Sequence, residues 1–302
     1  MKSIQYMGLD CVELNNGHLS LVVTVSAGPR VLALRIPGGE NLFAELPDVT
    51  TETPTSGTYH FYGGHRLWMA PEDLDRTYMP DNTPVQVSED ADGVLFTQAA
   101  DPVFGLEKSL RIRLAPDAAQ VTVVHSLQNR GEWPQTGSLW AITQMRPGGL
   151  GVLPQSLAQT GLLPNRALTL WPYTDMRSPH IQWGNEYIFV TANVTEGALK
   201  IGFPNPRGWL GYALDGTLFV KRTQYDPTAI YYDGGSSSEC YCNARFLELE
   251  TLGAMVALVP GDVATHHETW EVFADVDVQP DEAAMHTLAA ELGLDESAAP
   301  EA

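Results

Sequence analysis

The amino-acid sequence predicts an all-β protein, a sandwich of large antiparallel sheets. Three observations carry that prediction. Turn signals built from Gly, Pro, Asn and Asp recur at intervals of roughly ten residues along most of the chain. The stretches between them alternate apolar and polar residues, the period of a strand with one inward face. Only the segment from Asp281 to Gly293 has the apolar spacing of an amphipathic helix, through Ala284, Met285, Leu288, Ala289 and Leu292.

The chain opens as a meander. Cys11 to Leu14 and Leu19 to Val25 are strands joined at Asn15-Asn16-Gly17. Gly28-Pro29 turns the chain into Arg30 to Ile36, and Pro37-Gly38-Gly39 turns it again before Asn41-Leu42-Phe43. The polar stretch from Thr50 to Thr58 is expected to be a surface loop. It leads into Tyr59 to Glu72, the densest cluster of chemically capable residues, also expected in a loop. There Gly63-Gly64 permits unusual backbone angles or close approach of a ligand. His65, Arg66, Trp68 and Glu72 supply an acid/base group, a fork of donors, an aromatic plate and a carboxylate. A sugar site needs that mixture: an aromatic face for the ring C–H groups, and charged partners for the hydroxyls. A buried Arg66–Glu72 ion pair beside a core Trp68 is the plainer alternative.

Further strands follow at Val85 to Val87, Gly93 to Ala99, Phe104 to Leu114, Gln120 to Gln128 and Ser138 to Met145, the last carrying Trp140. The Gly-, Pro- and Leu-rich stretch from Pro147 to Leu163 reads as a crossing segment. Strands at Leu168 to Tyr173, Tyr187 to Val190 and Ala198 to Gly202 come next. Trp209 to Ala213 and Thr217 to Thr223 form a hairpin across Asp215-Gly216, with Lys221 and Tyr225 at its polar end. A flexible loop from Ile230 to Glu239, with a carboxylate near each end, feeds a strand from Cys240 to Asn243. Strands at Met255 to Val259 and His266 to Phe273 flank Pro260-Gly261-Asp262. Adjacent His266 and His267 point to opposite sheet faces and cannot share one metal ion from a regular strand. No zinc spacing and no phosphate-cradling glycine loop occurs, so neither metal nor cofactor is expected.

Phe246 to Leu252 is the stretch around which the proposed chemistry is organised. It reads as a strand with Leu247 and Leu249 on a dry face, and Glu248 and Glu250 on a polar one. Carboxylates at i and i+2 stand about 7 Å apart, so repulsion raises the pKa of one of them, as a general base requires. An edge strand showing two acids to solvent is the plainer reading.

Of 302 residues, 44% are apolar and 18% charged, enough for a large core. No compositional boundary divides the chain, so residues 1–294 are expected to form a single domain and 295–302 a disordered acidic tail. A net charge of −20 disfavours nucleic acid and membrane partners, but not a phosphorylated sugar held by local Lys or Arg. Cys11, Cys240 and Cys242 form no disulfide framework and imply reduced thiols in a cytoplasmic protein. Oligomeric state is not encoded in any visible pattern.

Three places resemble the galactose mutarotase-like superfamily, the aldose-epimerase type of β-supersandwich. Leu249-Glu250-Thr251, with the Leu258-Val259-Pro260-Gly261 turn and a closing strand to Trp270, is similar to that family's C-terminal segment. The resemblance makes Glu250 the base. Gly64-His65-Arg66 sits where the family has a substrate-binding arginine, which maps to Arg66. Val121 to Gly131, with Asn129, resembles the strand and turn before the family's central histidine. The chain departs there: Ser138-Leu139-Trp140-Ala141-Ile142-Thr143 contains no histidine. It looks closest to an uncharacterised bacterial branch carrying Gly-Gly-His-Arg-Leu-Trp and Glu-Leu-Glu-Thr-Leu segments.

The resemblance implies a sugar 1-epimerase. Glu250 would take the anomeric proton and His65 would protonate the ring oxygen. Arg66, Trp68, Glu72, Trp140, Lys221, Tyr225, Glu239 and Glu248 would hold hydroxyls or the ring face. The missing histidine motivates the alternatives: a carbohydrate-binding module without turnover, or a domain acting on a uronate or oligosaccharide. A scaffold used for protein contacts alone is the third reading.

Overall fold

A computed structural model describes residues 1–296 of the chain. Its first strands are β1 (Lys2–Tyr6), β2 (Leu9–Asn15), β3 (Ser20–Thr24), β4 (Val31–Arg35), β5 (Glu45–Thr53) and β6 (Gly57–Ala70). Next come β7 (Gln86–Asp90), β8 (Gly93–Thr97), β9 (Leu106–Leu114), β10 (Gln120–Asn129), β11 (Gln135–Met145) and β12 (Leu150–Pro154). They are followed by β13 (Thr169–Leu170), β14 (Ile181–Gln182), β15 (Tyr187–Thr191), β16 (Ala198–Phe203), β17 (Trp209–Leu214) and β18 (Thr217–Arg222). A single turn, α1 (Tyr232–Gly235), precedes β19 (Ser238–Asn243), β20 (Leu247–Leu252), β21 (Val256–Leu258), β22 (Val263–Ala274) and the helix α2 (Glu282–Glu291).

Two antiparallel sheets contain these strands. The larger runs β1-β2-β3-β4-β6-β11-β20-β19-β16-β13, with β5 attached to β6 and β21 to β11. The smaller runs β14-β15-β12-β17-β18-β22-β10-β9-β8-β7. Leu67, Met69, Leu247 and Leu249 from the first interlock with Leu110, Val123, Leu127 and Trp270 from the second. The stretch after β11 does cross between sheets, since it delivers β12 to the smaller one. The all-β expectation therefore holds. Helix α2 lies on the outer side of the smaller sheet, where Met285 and Ala289 pack with Tyr187, Phe189 and Trp209. Asp281 caps it by accepting from the backbone N–H of Ala284 at 2.8 Å.

Three local expectations are corrected. Residues 45–53 and 57–70 are strands rather than loops. Position 50 onward pairs in a β5–β6 hairpin, with Thr50 opposite His60 and Thr53 opposite Gly57. The glycine pair is a bend inside β6, not a ligand loop. Tyr62, Gly63 and Gly64 all have positive φ, at 56°, 90° and 68°. A Cβ on Gly63 would lie 1.9 Å from Ala44 O, and one on Gly64 2.1 Å from Val31 O. The bend lets the first half of β6 pair with β5 and the second half with β4 and β11. It brings Tyr59 and Phe61 against Trp68.

The tail boundary also moves. Arg207 donates to both carboxylate oxygens of Asp295 at 2.7 Å, and Trp209 Nε1 to one of them at 3.0 Å. Residues 297–302 of the expected tail lie outside the described residues.

Candidate functional site on the outer face of the larger sheet

Register decides what β20 presents. It lies between β11 and β19, so it is a central strand and buried throughout, not an edge. Glu250 stands opposite Ile142 on β11 and Glu239 on β19, and Ile142 stands opposite Arg66 on β6. Directly paired residues share a face. One row across the outer face therefore reads Arg66, Ile142, Glu250, Glu239. Flanking rows bring in Trp68 and Trp140 on one side, and Gln144, Glu248 and Lys200 on the other.

The charges on this face are held tightly. Lys200 Nζ lies 2.7 Å from Glu239 Oε2 and 2.9 Å from Glu250 Oε2. It also sits 4.7 Å and 4.6 Å from the ring centres of Trp140 and Trp171. Trp140 Nε1 donates to Glu250 Oε2 at 2.7 Å. Arg66 stacks over Trp68 at 4.2 Å, donates to Gln144 Oε1 at 2.9 Å, and reaches Glu248 Oε1 at 3.4 Å. Gln144 Nε2 donates to the same Glu248 oxygen at 2.9 Å.

Burial sets the protonation of the acids. Glu239 is pushed well above the usual carboxylate range by burial, with Glu250 adding to the push against the pull of Lys200. Glu248 rises to about 7, again by burial first and the Glu250 charge second. Repulsion along β20 thus raises Glu248, the neighbour of the residue expected to be the base. Burial works against the Lys200 charge, yet Glu250 and Glu239 together hold its pKa above the ordinary value. Four buried polar atoms on this face lack hydrogen-bond partners among the described residues: Glu239 Oε1 and Oε2, Glu250 Oε1 and Arg66 Nε.

Arg66, Trp68, Trp140, Glu239, Glu248 and Glu250 are thus gathered on one face. Glu72 is at its rim, where it accepts from the Tyr78 hydroxyl, and Tyr78 packs edge-on against Trp68 at 5.2 Å. The plainer Arg66–Glu72 ion pair is replaced by Arg66–Glu248.

Three expected site residues lie elsewhere. His65 is next to Arg66 in a strand, so it points to the opposite face, into the space between the sheets. Its Nδ1 is 2.9 Å from Thr143 Oγ1 and its Nε2 2.7 Å from His125 Nε2. A whole sheet separates it from the Glu250 side chain, so it cannot be the acid partner of Glu250. Lys221, from the smaller sheet, enters the same interior, 2.9 Å from Glu268 and donating to Ala141 O, Thr143 Oγ1 and Leu249 O. Tyr225 stacks on Tyr231 at 5.4 Å in the loop after β18.

The interior cluster brings His65, His125 and Glu268 within 4.8 Å of one another. Two nitrogens bonded to one zinc at about 2.0–2.1 Å stand roughly 3.3 Å apart in a tetrahedral site. The observed 2.7 Å is a hydrogen bond instead. His125 Nδ1 donates to His266 O at 2.9 Å, which leaves its Nε2 to accept from His65. The expected divergence of His266 and His267 is present: the first is buried and the second exposed.

Lys200 is the site residue the sequence reading missed. Its signal was available: one lysine in the otherwise apolar strand Ala-Leu-Lys-Ile-Gly-Phe, where a charge needs a buried partner. Gln144 and Trp171 carried no comparable mark.

No family model and no curated protein matches the chain. Solved structures do. A TPR-domain containing protein from Parabacteroides distasonis superposes with a TM-score of 0.64 at 11% identity, over 90% of this chain and 48% of that one. The present chain thus spans about half of that relative's length. A protein of Escherichia coli K12 provisionally named an aldose 1-epimerase gives 0.53 at 13% identity, over 88% of this chain and 100% of its own. One of Salmonella typhimurium provisionally named a mutarotase gives 0.53 at 13%, over 90% and 93%. At such identities the likeness is one of fold: the chain has the galactose mutarotase-like β-supersandwich.

Proposed function

We propose that the outer face of the larger sheet binds a sugar ring and interconverts its anomers, with Glu250 as the base. The observation that carries this reading is Glu250 Oε1, a buried carboxylate oxygen without a hydrogen-bond partner, on a face bearing Trp68 and Trp140. Burying such an oxygen unpaired costs about 1–3 kcal/mol, and a ligand hydroxyl would relieve that cost. The second Glu250 oxygen is held by Lys200 and Trp140, which fixes the orientation of the carboxylate. Arg66, Gln144 and Glu248 supply donors and acceptors for ring hydroxyls, and the indoles supply apolar plates. Three buried, unpaired cysteines support a reducing, cytoplasmic setting.

Sugar binding without turnover is the second reading. It is favoured by the complete burial of Glu250 and by the position of His65 behind the sheet. Polarimetry or NMR exchange on free and phosphorylated sugars separates the two. The epimerase reading expects acceleration by the wild type and its loss in Glu250→Gln. Saturable binding with anomers equilibrating at the solvent rate supports the module instead. Neither binding nor acceleration across the panel refutes both.

A further inference from the structure

Glu239 and Glu250 face each other across the β19–β20 ladder, and both are fully buried. One ammonium, Lys200 Nζ, touches an oxygen of each. Two carboxylates and one lysine leave an excess negative charge in a dry site, which a single proton cancels. Lys200 Nζ lies 2.7 Å from Glu239 Oε2 as an ion pair, and Glu239 Oε1 has no partner among the described residues. We propose that Glu239 and Glu250 share one proton across Lys200 and serve as the acid and base of sugar ring opening, the role that no histidine on this face can fill. This rests on the epimerase reading above.

The chemistry balances without a further reactant. Glu250 carboxylate removes the proton from the anomeric hydroxyl O1. The O1 electron pair closes to C1=O, and the C1–O5 bond breaks towards O5. Protonated Glu239 delivers its proton to O5. The open-chain aldehyde then rotates about C1–C2. Ring closure reverses each step, returning the proton to Glu239 and a hydroxyl of either configuration to C1. Lys200 stays protonated throughout, so the pair carries one proton before and after. Burial, against the pull of Lys200 and reinforced by the Glu250 charge, raises the Glu239 pKa well above the usual carboxylate range, the direction an acid needs. Other groups facing the trio are Glu248 on β20, Tyr241 on β19, Asp233 on α1, and Tyr173 and Glu72 at the rim.

Two measurements on the intact chain test this. Infrared difference spectra of wild type and Glu239→Gln at neutral pH should show a carboxylic-acid carbonyl band that the substitution abolishes. Absence of that band overturns the proposal whatever the activity. Anomer exchange by NMR should then fall by about a hundredfold or more in Glu239→Gln, with KM little changed and the alkaline limb of the pH profile lost. Equal rates and profiles in the two proteins overturn it as well. Glu239→Asp keeps an acid at the position and should retain more activity than Gln, which separates a proton donor from a merely structural residue. If the band is present and wild type does not exchange anomers, the epimerase reading fails and takes the catalytic role with it, while the shared proton stands.

Discussion

His65 Nε2 lies 2.7 Å from His125 Nε2, so one hydrogen joins the two rings and neither can take up a second proton there without breaking the contact. Around them the chain of donors has a direction. Lys221 donates to Thr143, Thr143 to His65, His65 to His125, and His125 to the carbonyl of His266. Beside it, Thr251 joins His266 to Glu268, and Glu268 also accepts from Trp270 Nε1. This cluster ties β6 and β11 of one sheet to β10, β18 and β22 of the other.

Acid should therefore open the sandwich. Burial lowers the pKa of His65 and His125 below the ordinary value, and brings His266 down to about 3. The unfolded chain takes up protons on these rings near pH 6.5, and the folded chain refuses them. Stability thus falls as pH drops below 6.5, by an order of several kcal/mol in total towards pH 4. Melting temperature against pH checks this. A profile that is flat or rising between pH 6.5 and 4.5 would contradict it.

The architecture was legible because turn chemistry and alternation are local properties of the chain. Facing was legible within one strand but not between strands. His65 and Arg66 read as a functional pair because they are adjacent, yet adjacency in a strand guarantees opposite faces. Glu250 was singled out by its segment, whereas Lys200, 50 residues earlier in the chain, meets it only through the β16–β19–β20 register. The Gly63-Gly64 pair looked like a loop because glycine signals any unusual backbone. Its actual use, a bend within β6, depends on the carbonyls of Ala44 and Val31 that crowd it.

Lys200→Met should leave Glu239 and Glu250 buried with no cation between them. Breaking a buried pair costs about 3–5 kcal/mol, and more is at stake here because two acids share the cation. Urea unfolding at pH 7.5 should register a loss of that size. At pH 5 the loss should shrink, because protonation of the carboxyls replaces the missing charge. An unfolding midpoint equal to wild type at both values would mean the trio is not held as described.

The bend in β6 gives a sharper contrast. Gly64→Ala adds a Cβ 2.1 Å from Val31 O at a φ of 68°, so backbone must move in two strands. We expect a loss of ~3 kcal/mol or more. Gly17→Ala also has a positive φ, 87°, but its Cβ meets nothing within 4 Å. That variant should lose only about 1 kcal/mol, the cost of the left-handed conformation itself. Comparable losses for both would show that conformation, not crowding, fixes the glycine at position 64.

Glu248 gives a pH effect of the opposite sign to the histidines. Its folded pKa is raised to about 7 from 4.5, so the folded state holds a proton that the unfolded state has released. The resulting penalty is absent below about pH 4.5, grows as pH rises, and is complete above 7. Wild-type stability should accordingly peak near pH 6.5, between the histidine and carboxyl effects. Glu248→Gln keeps a hydrogen-bonding group beside Gln144 and Arg66 but cannot ionise. Relative to wild type it should gain stability from pH 5 to pH 8, by about 3 kcal/mol for a shift of this size. A difference between the two proteins that stays constant across that range would mean Glu248 ionises in the folded protein as freely as it does in the unfolded chain, and that Arg66 fully compensates its burial.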